Sequence, residues 1–195
     1  MTTAHPDPAP TPTLHGAGVT LRPYSAGFSD DDLATLYGWA RDDEVLALAG
    51  GMPLSLDFDH FKALFVAQLP RHNSRHEQLF VILDGEGVLV GRAGLYRIEP
   101  GLARAELGIV IGERDRWAQG LGRAAVRTLV RYGAEGLGLQ RIVLYTYPTN
   151  VRAQRAFTSA GFRAVRTVRR FSLEMGGHDV LEMVWDAPDA GEAAP

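Results

Sequence analysis

The sequence has no cysteine, a single lysine and no apolar run long enough to cross a membrane. Without cysteine, this chain of 195 residues has no disulfide bond, thiolate zinc site or cysteine nucleophile. No apolar run approaches the roughly 18 residues of a membrane span, and the mean hydropathy is -0.08. The net charge of -3 offers no broad basic surface for nucleic acid. Apolar residues make up 46% of the chain, which is typical of one globular domain.

The two ends of the chain differ in composition from the part between them. Residues 1–15 are rich in proline and have no apolar periodicity, so neither a helix nor a strand is predicted there. They also lack the continuous apolar segment of a secretory signal, and we expect a cytoplasmic protein. We predict a disordered tail over residues 1–17, a single domain over residues 18–186 and a flexible tail over residues 187–195.

Apolar spacing predicts strands and helices in a mixed order along the domain. A first strand over residues 19–24 is followed by three helices between residues 29 and 69. Further strands are predicted at 79–83, 88–98, 103–111, 141–147, 162–173 and 179–185, with helices at 121–134 and 150–160. Strand 103–111, helix 121–134 and strand 141–147 form a parallel crossover. The strand over residues 141–147 is expected to be buried on both faces. The predicted fold is α+β, a mostly antiparallel sheet with helices on both faces.

The link between strand 103–111 and helix 121–134 has the sequence RDRWAQGLG. A helix N-terminus binds anions through its amide groups and partial positive charge, and Gly120 and Gly122 let a phosphate approach the backbone. The segment is not a Rossmann fingerprint, because the third glycine of G-x-G-x-x-G and an acidic residue on the next strand are absent. It is not a P-loop either, because no Gly-Lys-Ser/Thr sequence follows. Glycines at such turns are more often structural, so this pattern alone leaves both interpretations open.

Several longer stretches carry a family resemblance. They read VTLRPY, ELGIVIGERDRWAQGLGRAAVRTLVRYGAEGLGLQRI, NVRAQRAFTSAGF and HDVLEMVWD, and together they span about residues 18–186. In these stretches the chain resembles the GNAT family of N-acetyltransferases, and most closely its RimJ/RimL-like branch. The resemblance implies a GNAT-like fold and an enzyme that moves an acetyl group from acetyl-CoA to a primary amine. Attack would be direct, in a ternary complex, and would need no metal.

The resemblance also implies which residues bind acetyl-CoA. They lie on strand 103–111, on the turn before the long helix and at the start of the next helix: Ile109, Val110, Ile111, Arg116, Trp117, Gln119, Gly120, Leu121, Gly122, Arg123 and Asn150. The turn would hold the pyrophosphate, and the strand would pair with the extended pantetheine arm as with an added strand. Asn150 has an equally good interpretation as a helix N-cap.

The catalytic groups are where the chain departs from the family. Glu106 matches a glutamate that acts as the base in some relatives; the alternatives are a substrate-binding acid or a solvated carboxylate. Phe157 and Ala153 stand where many relatives have a tyrosine or a serine able to protonate the leaving thiolate. A thiol with a pKa of roughly 8.5 leaves without strong acid assistance, so Tyr145, Tyr147 or water remain candidates for this role.

The resemblance and these departures leave two classes of function open. The first is an N-acetyltransferase acting on a protein N-terminus, an aminoglycoside, a polyamine or another small amine. The second is a CoA-binding sensor or scaffold without turnover. Neither a membrane nor nucleic acid is an expected partner, whereas a homodimer is common among relatives.

Two further groups of polar residues have an ordinary and a functional interpretation. His72 and His76 have the spacing of metal ligands, but no third ligand is near them in sequence, and no metal is expected. Asp42, Asp43 and Glu44 either attract a cationic amine or are the acids that favour the first turn of a helix.

Overall fold

The computed structural model describes residues 10–69, 73–172 and 176–188. In these residues the strands are β1 (Leu14–Gly16), β2 (Val19–Pro23), β3 (Gln78–Asp84), β4 (Leu89–Glu99), β5 (Arg104–Ile111), β6 (Arg141–Thr146), β7 (Arg163–Ser172) and β8 (Gly176–Asp186). The α-helices are α1 (Asp30–Trp39), α2 (Asp43–Ala49), α3 (Phe58–Gln68), α4 (Leu121–Arg131) and α5 (Val151–Ser159). No helix in the described part of the chain is both long and apolar enough to cross a membrane.

The strands form one sheet in the order β1-β2-β3-β4-β5-β6-β8-β7. Neighbouring strands are antiparallel except β5 and β6, which are parallel and connected through α4. Pairing between β5 and β6 covers only residues 104–106 against residues 141–143. On its other edge β5 pairs with β4 as far as Ile111. The two parallel strands therefore part after Glu106, and a cleft opens between them.

Helices cover both faces of the sheet, which confirms the predicted fold class. On one face α4 and α5 pack on the larger core, where Ala125, Leu129 and Phe157 join buried side chains of the central strands. On the other face α1 and α3 cover a smaller core with Trp39 and Phe65. Burial of these apolar faces supplies most of the helical stability, because isolated helices of this length are marginal in water.

Local sequence signals set where the helices begin. Ser29 caps α1: its hydroxyl oxygen accepts a hydrogen bond from the Asp32 amide, and the Asp32 carboxylate accepts one from the Ser29 amide. The α4 helix starts after Gly120, whose φ of 82° lies in the left-handed region that glycine adopts without strain. Regular α-helix ends at Arg131 and a π-helical turn follows, so the predicted helix over residues 121–134 is shorter in its α-helical part.

Two sequence predictions are wrong. The predicted tail contains the strand Leu14–Gly16, which pairs with β2 and accepts a hydrogen bond from Arg131 at the His15 carbonyl, 2.8 Å away. The strand over residues 141–147 is not buried on both faces: Ile142 and Leu144 are buried, but Tyr145 on the opposite face is only half-buried because the cleft lies beside it. The other domain boundaries stay predictions.

Candidate functional site

A narrow slot lies where β5 diverges from β6. Its walls come from three helices and one strand, with Val45, Leu48 and Ala49 of α2, Ile109, Val110 and Ile111 of β5, Trp117 and Gly122 at the start of α4, and Asn150, Arg152, Ala153, Ala156 and Phe157 at α5. The slot is mostly apolar, and its polar side chains, Asn150 and Arg152, lie at the start of α5. Such a lining suits an extended ligand with one anionic end. The structure brings six of the predicted acetyl-CoA contacts to this slot.

The start of α4 presents backbone to the slot. Gly122 lines it, and a Cβ atom added there would contact only Ile111, at an ordinary distance of 3.6 Å. Packing within the protein therefore does not require glycine at position 122. At position 120 the left-handed backbone does require glycine. The first amides of a helix have no intrahelical acceptor and carry partial positive charge. A glycine at position 122 keeps the approach to them open.

Trp117 connects the start of α4 to β5 and to α5. Its indole Nε1 donates a hydrogen bond to the Ile111 carbonyl at 2.8 Å. The Arg152 guanidinium carbon lies 4.1 Å from the centre of the indole ring, so a cation–π contact holds this charge at the slot. Sequence analysis did not select Arg152; its place two residues after the α5 cap is the signal that could have found it.

The remaining predicted contacts at the turn differ in their surroundings. Arg123 lies beside the turn, with Nη2 3.6 Å from the position of a Cβ on Gly120. Arg116 instead directs Nη2 to Asp84 Oδ2 at 3.3 Å and Glu86 Oε2 at 3.1 Å. A ligand phosphate would share the Arg116 guanidinium with two carboxylates. Contact of Arg116 with acetyl-CoA stays a prediction.

Three other predicted contacts have structural partners of their own. Gln119 Nε2 donates to the Asp115 carbonyl at 2.9 Å, and the Leu121 side chain packs against the larger core. Asn150 Oδ1 accepts from the Ala153 amide at 3.1 Å and caps α5. Asn150 also lines the slot. Its capping role is confirmed and is compatible with a ligand contact.

A second, wide cavity of about 880 Å³ shares Ile109, Val110, Asn150 and Phe157 with the slot. We call it the wide cavity. Its ionisable and aromatic lining consists of His76, Glu77, Arg92, Tyr96, Arg97, Glu106, Tyr145, Tyr147, Phe157, Arg170, Phe171 and His178. Most of these residues belong to strands β4 to β8, and sequence analysis did not select the arginines among them. A ligand in the slot and a second ligand in the wide cavity would meet at the shared residues.

Glu106 lies in the wide cavity at the point where β5 and β6 part. Arg97 Nη1 donates to its Oε2 atom, and Arg170 Nη1 donates to its Oε1 atom at 3.0 Å. The Arg170 guanidinium also lies 4.1 Å from the centre of the Tyr145 ring. Both carboxylate oxygens are therefore engaged by guanidinium groups. Glu106 thus lies beside the cleft, and its catalytic role stays a prediction.

Three tyrosines around the wide cavity keep their protons at neutral pH. Burial raises the pKa of Tyr96 to about 12. Burial also raises the pKa of Tyr145, with the nearby Glu182 carboxylate adding to the effect, and burial raises the pKa of Tyr147. Phe157, only 7% exposed, lines both cavities without a hydroxyl group. Tyr145 and Tyr147 thus remain candidates for protonating a leaving thiolate.

The acids of residues 42–44 do not line either cavity. Asp42 caps α2, and its carboxylate accepts from the amides of Glu44 and Val45. Arg114 pairs with Asp42 at 3.5 Å and with Glu44 at 2.9 Å. These contacts support the interpretation as acids of a first helical turn.

Of the two histidines with the spacing of metal ligands, the structure describes one. His72 lies outside the described residues, and His76 Nδ1 lies 3.0 Å from the Ile98 carbonyl. Across residues 10–69, 73–172 and 176–188, no group of three or more His, Asp or Glu side chains is placed to hold a metal ion.

A sheet whose parallel pair opens beside a helix N-terminus, with a cavity beyond the opening, has space for an extended anionic ligand and for a second molecule. Residues 19–163 match the family model of the acetyltransferase (GNAT) domain. The chain therefore belongs to the GNAT acetyltransferase family. The family and fold inferred from the sequence are confirmed.

Individual relatives are distant. The chain is 28% identical over 96 residues to an uncharacterized N-acetyltransferase, p20, of Bacillus licheniformis, a match that covers 49% of this chain and 53% of that protein. It is 25% identical over 166 residues to the human alpha/beta-tubulin-N-acetyltransferase 9, covering 79% and 76%. The chain thus spans about half the length of the first of these relatives.

Solved structures share the fold at low identity. A spermidine N-acetyltransferase from Vibrio cholerae in complex with CoA and spermine has a TM-score of 0.70 at 21% identity, covering 86% of this chain and 94% of that one. A GNAT-family acetyltransferase from Bacillus anthracis has a TM-score of 0.70 at 16% identity, covering 89% and 98%.

Proposed function

We propose that the protein is an N-acetyltransferase that moves an acetyl group from acetyl-CoA to a primary amine in a ternary complex. The observation that carries the proposal is the parting of β5 and β6 after Glu106. It places the open edge of β5 beside the slot and the wide cavity. One substrate can enter from each cavity, and the two meet at shared lining residues.

In this proposal the slot binds acetyl-CoA. The backbone amides of residues 119–122 and the Arg123 and Arg152 guanidinium groups receive the pyrophosphate, because a helix N-terminus and fixed cations favour an anion there. The amides and carbonyls of residues 109–111 pair with the pantetheine arm. At Ile111 the carbonyl oxygen already accepts the Trp117 indole N–H, so a ligand would use its second lone pair.

The reaction joins the two cavities. The amine nitrogen attacks the thioester carbonyl carbon, a C–N bond forms and the C–S bond breaks. The amine gives up a proton and the CoA thiolate takes one. Holding both reactants in the attacking geometry lowers the barrier by about 7–11 kcal/mol at best. Glu106 either accepts the amine proton or anchors the ammonium group, once Arg97 or Arg170 has yielded one of its oxygens.

A CoA-binding sensor is the second candidate, and the apolar Phe157 at the junction of the cavities favours it. The test is thiol release from acetyl-CoA with a panel of primary amines, alongside calorimetric binding of acetyl-CoA. Amine-dependent thiol release supports the enzyme. Binding without thiol release by any amine supports the sensor, and absence of binding contradicts both functions.

The finer parts of the proposal rest on the sequence. The RimJ/RimL-like branch is supported by VTLRPY, which lies at β2, and by HDVLEMVWD, which lies in β8. A homodimer, a cytoplasmic location and an end of the domain near residue 186 follow from the same resemblance and composition. Candidate acceptors include polyamines, on which the Vibrio cholerae protein acts, and protein N-termini.

A further inference from the structure

The charges of the wide cavity do not suit a polycation. Three guanidinium groups line it, those of Arg92, Arg97 and Arg170, against the carboxylates of Glu77 and Glu106. With neutral histidines the lining carries a net positive charge. A protonated polyamine would bring several more positive charges into the same cavity, where they would be repelled by the guanidinium groups.

The positive charge is concentrated around one carboxylate. Arg97 and Arg170 both bind Glu106, one at each oxygen. One negative charge thus faces two positive ones, and one guanidinium charge is left over beside the opening of the cleft. An amine that entered with only its ammonium group would find the single acid there already neutralised.

The Arg170 side chain is partly buried and fixed by contacts within the protein. Its guanidinium carbon lies 4.1 Å from the centre of the Tyr145 ring, and its side chain is only 31% exposed. A planar guanidinium fixed on an aromatic ring presents its remaining N–H groups in a defined direction. Such a fork matches the two oxygens of a carboxylate.

Resting on the proposed function, we propose that the acceptor is a small amine with a carboxylate in the same molecule, as in an amino acid. Its carboxylate pairs with Arg170 and Arg97, and its amino group lies against Glu106. The two charges of such an acceptor complement the alternating charges of the cluster. Each guanidinium and each carboxylate then has a partner of opposite sign, which a polyamine cannot provide.

The test compares amino acids with their carboxamides, which keep the amino group and the size but lose the negative charge. Binding of each is measured by calorimetry with the protein saturated in CoA, and turnover is measured separately by thiol release from acetyl-CoA. We expect the free acids to bind at least about tenfold more tightly than the amides, which corresponds to about 1.4 kcal/mol. Spermidine is expected to bind more weakly than the acids.

Two variants assign the preference to the cluster. Arg170→Gln should bring the ratio of acid to amide affinity close to one. Arg169→Gln is the matched control, because Arg169 is its neighbour on β7, is 72% exposed, and pairs with Asp179 and the Gly177 carbonyl instead. The control should keep the ratio of the unaltered protein, and thermal unfolding checks that both variants fold.

The outcomes separate this inference from the proposed function. Equal binding of acids and amides, tighter binding of spermidine, or no binding by any of these ligands overturns the inference, whatever the turnover. A ratio that survives in Arg170→Gln overturns the assignment to this cluster. Tighter binding of acids without thiol release supports an amino-acid site at this cluster and contradicts the acetyltransferase.

Discussion

Replacing Gly122 by alanine should separate acetyl-CoA binding from folding. The added methyl group contacts only Ile111 within the protein, at 3.6 Å, and the position lies in α4 with ordinary helical backbone. Alanine in place of glycine stabilises a helix by up to about 1 kcal/mol. The ligand-free protein should therefore be as stable as the unaltered one or more stable.

The same methyl group stands in the slot, where the account places the pyrophosphate. Hydrogen bonds to charged groups contribute about 1.5–3 kcal/mol each, and every 1.4 kcal/mol is about a factor of ten in Kd. Displacing the phosphate from one amide should raise the Kd for acetyl-CoA about ten- to hundredfold. Calorimetric titration measures this change, and thermal unfolding without ligand measures stability.

Gly120→Ala is the matched control at the same turn. Gly120 has a φ of 82°, and an added Cβ would meet only the Arg123 guanidinium, at 3.6 Å. The left-handed backbone costs alanine roughly 1–2 kcal/mol, so this variant should unfold more readily. If Gly122→Ala binds acetyl-CoA as tightly as the unaltered protein, the phosphate does not lie at the start of α4 and the reasoning is refuted.

Three further results are expected. Arg152→Ala should raise the Kd for acetyl-CoA about tenfold by calorimetry, since the guanidinium stacks on Trp117 at the slot; exposed Arg155, which lines neither cavity, supplies the control. Phe157→Tyr should raise kcat for thiol release with little change in Kd, because the new hydroxyl group would lie where the cavities meet. Burial raises the pKa of Asp32, but hydrogen bonds from Arg22 and Ser29 outweigh it and lower the pKa overall. The stability that Asp32 contributes should therefore be complete above about pH 4 and be lost as pH falls through the lowered pKa. Denaturant unfolding of Asp32→Asn and of the unaltered protein across this pH range measures the contribution as the difference in their free energies of unfolding.

Opposite results would contradict each argument. An equal loss of affinity in Arg152→Ala and Arg155→Ala would indicate a general charge effect. Unchanged kcat in Phe157→Tyr would remove position 157 from proton transfer. A stability deficit of Asp32→Asn that persists unchanged at pH 2 would show that the contribution of Asp32 does not depend on its charge.

Helices and strands with regular apolar spacing were predictable from the sequence. Apolar and polar residues alternate along the first half of β5, and α4 has an apolar stripe, because each element buries one face. Such spacing can be read from neighbouring residues alone. The caps at Ser29 and Asn150 are local as well. The strand Leu14–Gly16 was missed because three residues beside a proline-rich segment carry no periodic signal, and their pairing with β2 is a tertiary contact.

Part of the candidate site was likewise predictable from the sequence, and part was not. The turn at residues 119–122 was found because glycine and the helix start are adjacent in sequence. The cluster around Glu106 was not found, because its member Arg170 lies 64 residues after Glu106 in the sequence. Their contact depends on the strand order β5-β6-β8-β7 and on the parting of β5 from β6. Residue types and spacing do not specify either property.

Calorimetric titration of the purified protein with acetyl-CoA tests most directly whether the opening between β5 and β6 is a binding site. We predict saturable heat with a single acetyl-CoA bound per chain and a Kd between about 1 μM and 1 mM, the usual range for enzyme substrates. The absence of heat with both acetyl-CoA and CoA at millimolar concentration would contradict the account.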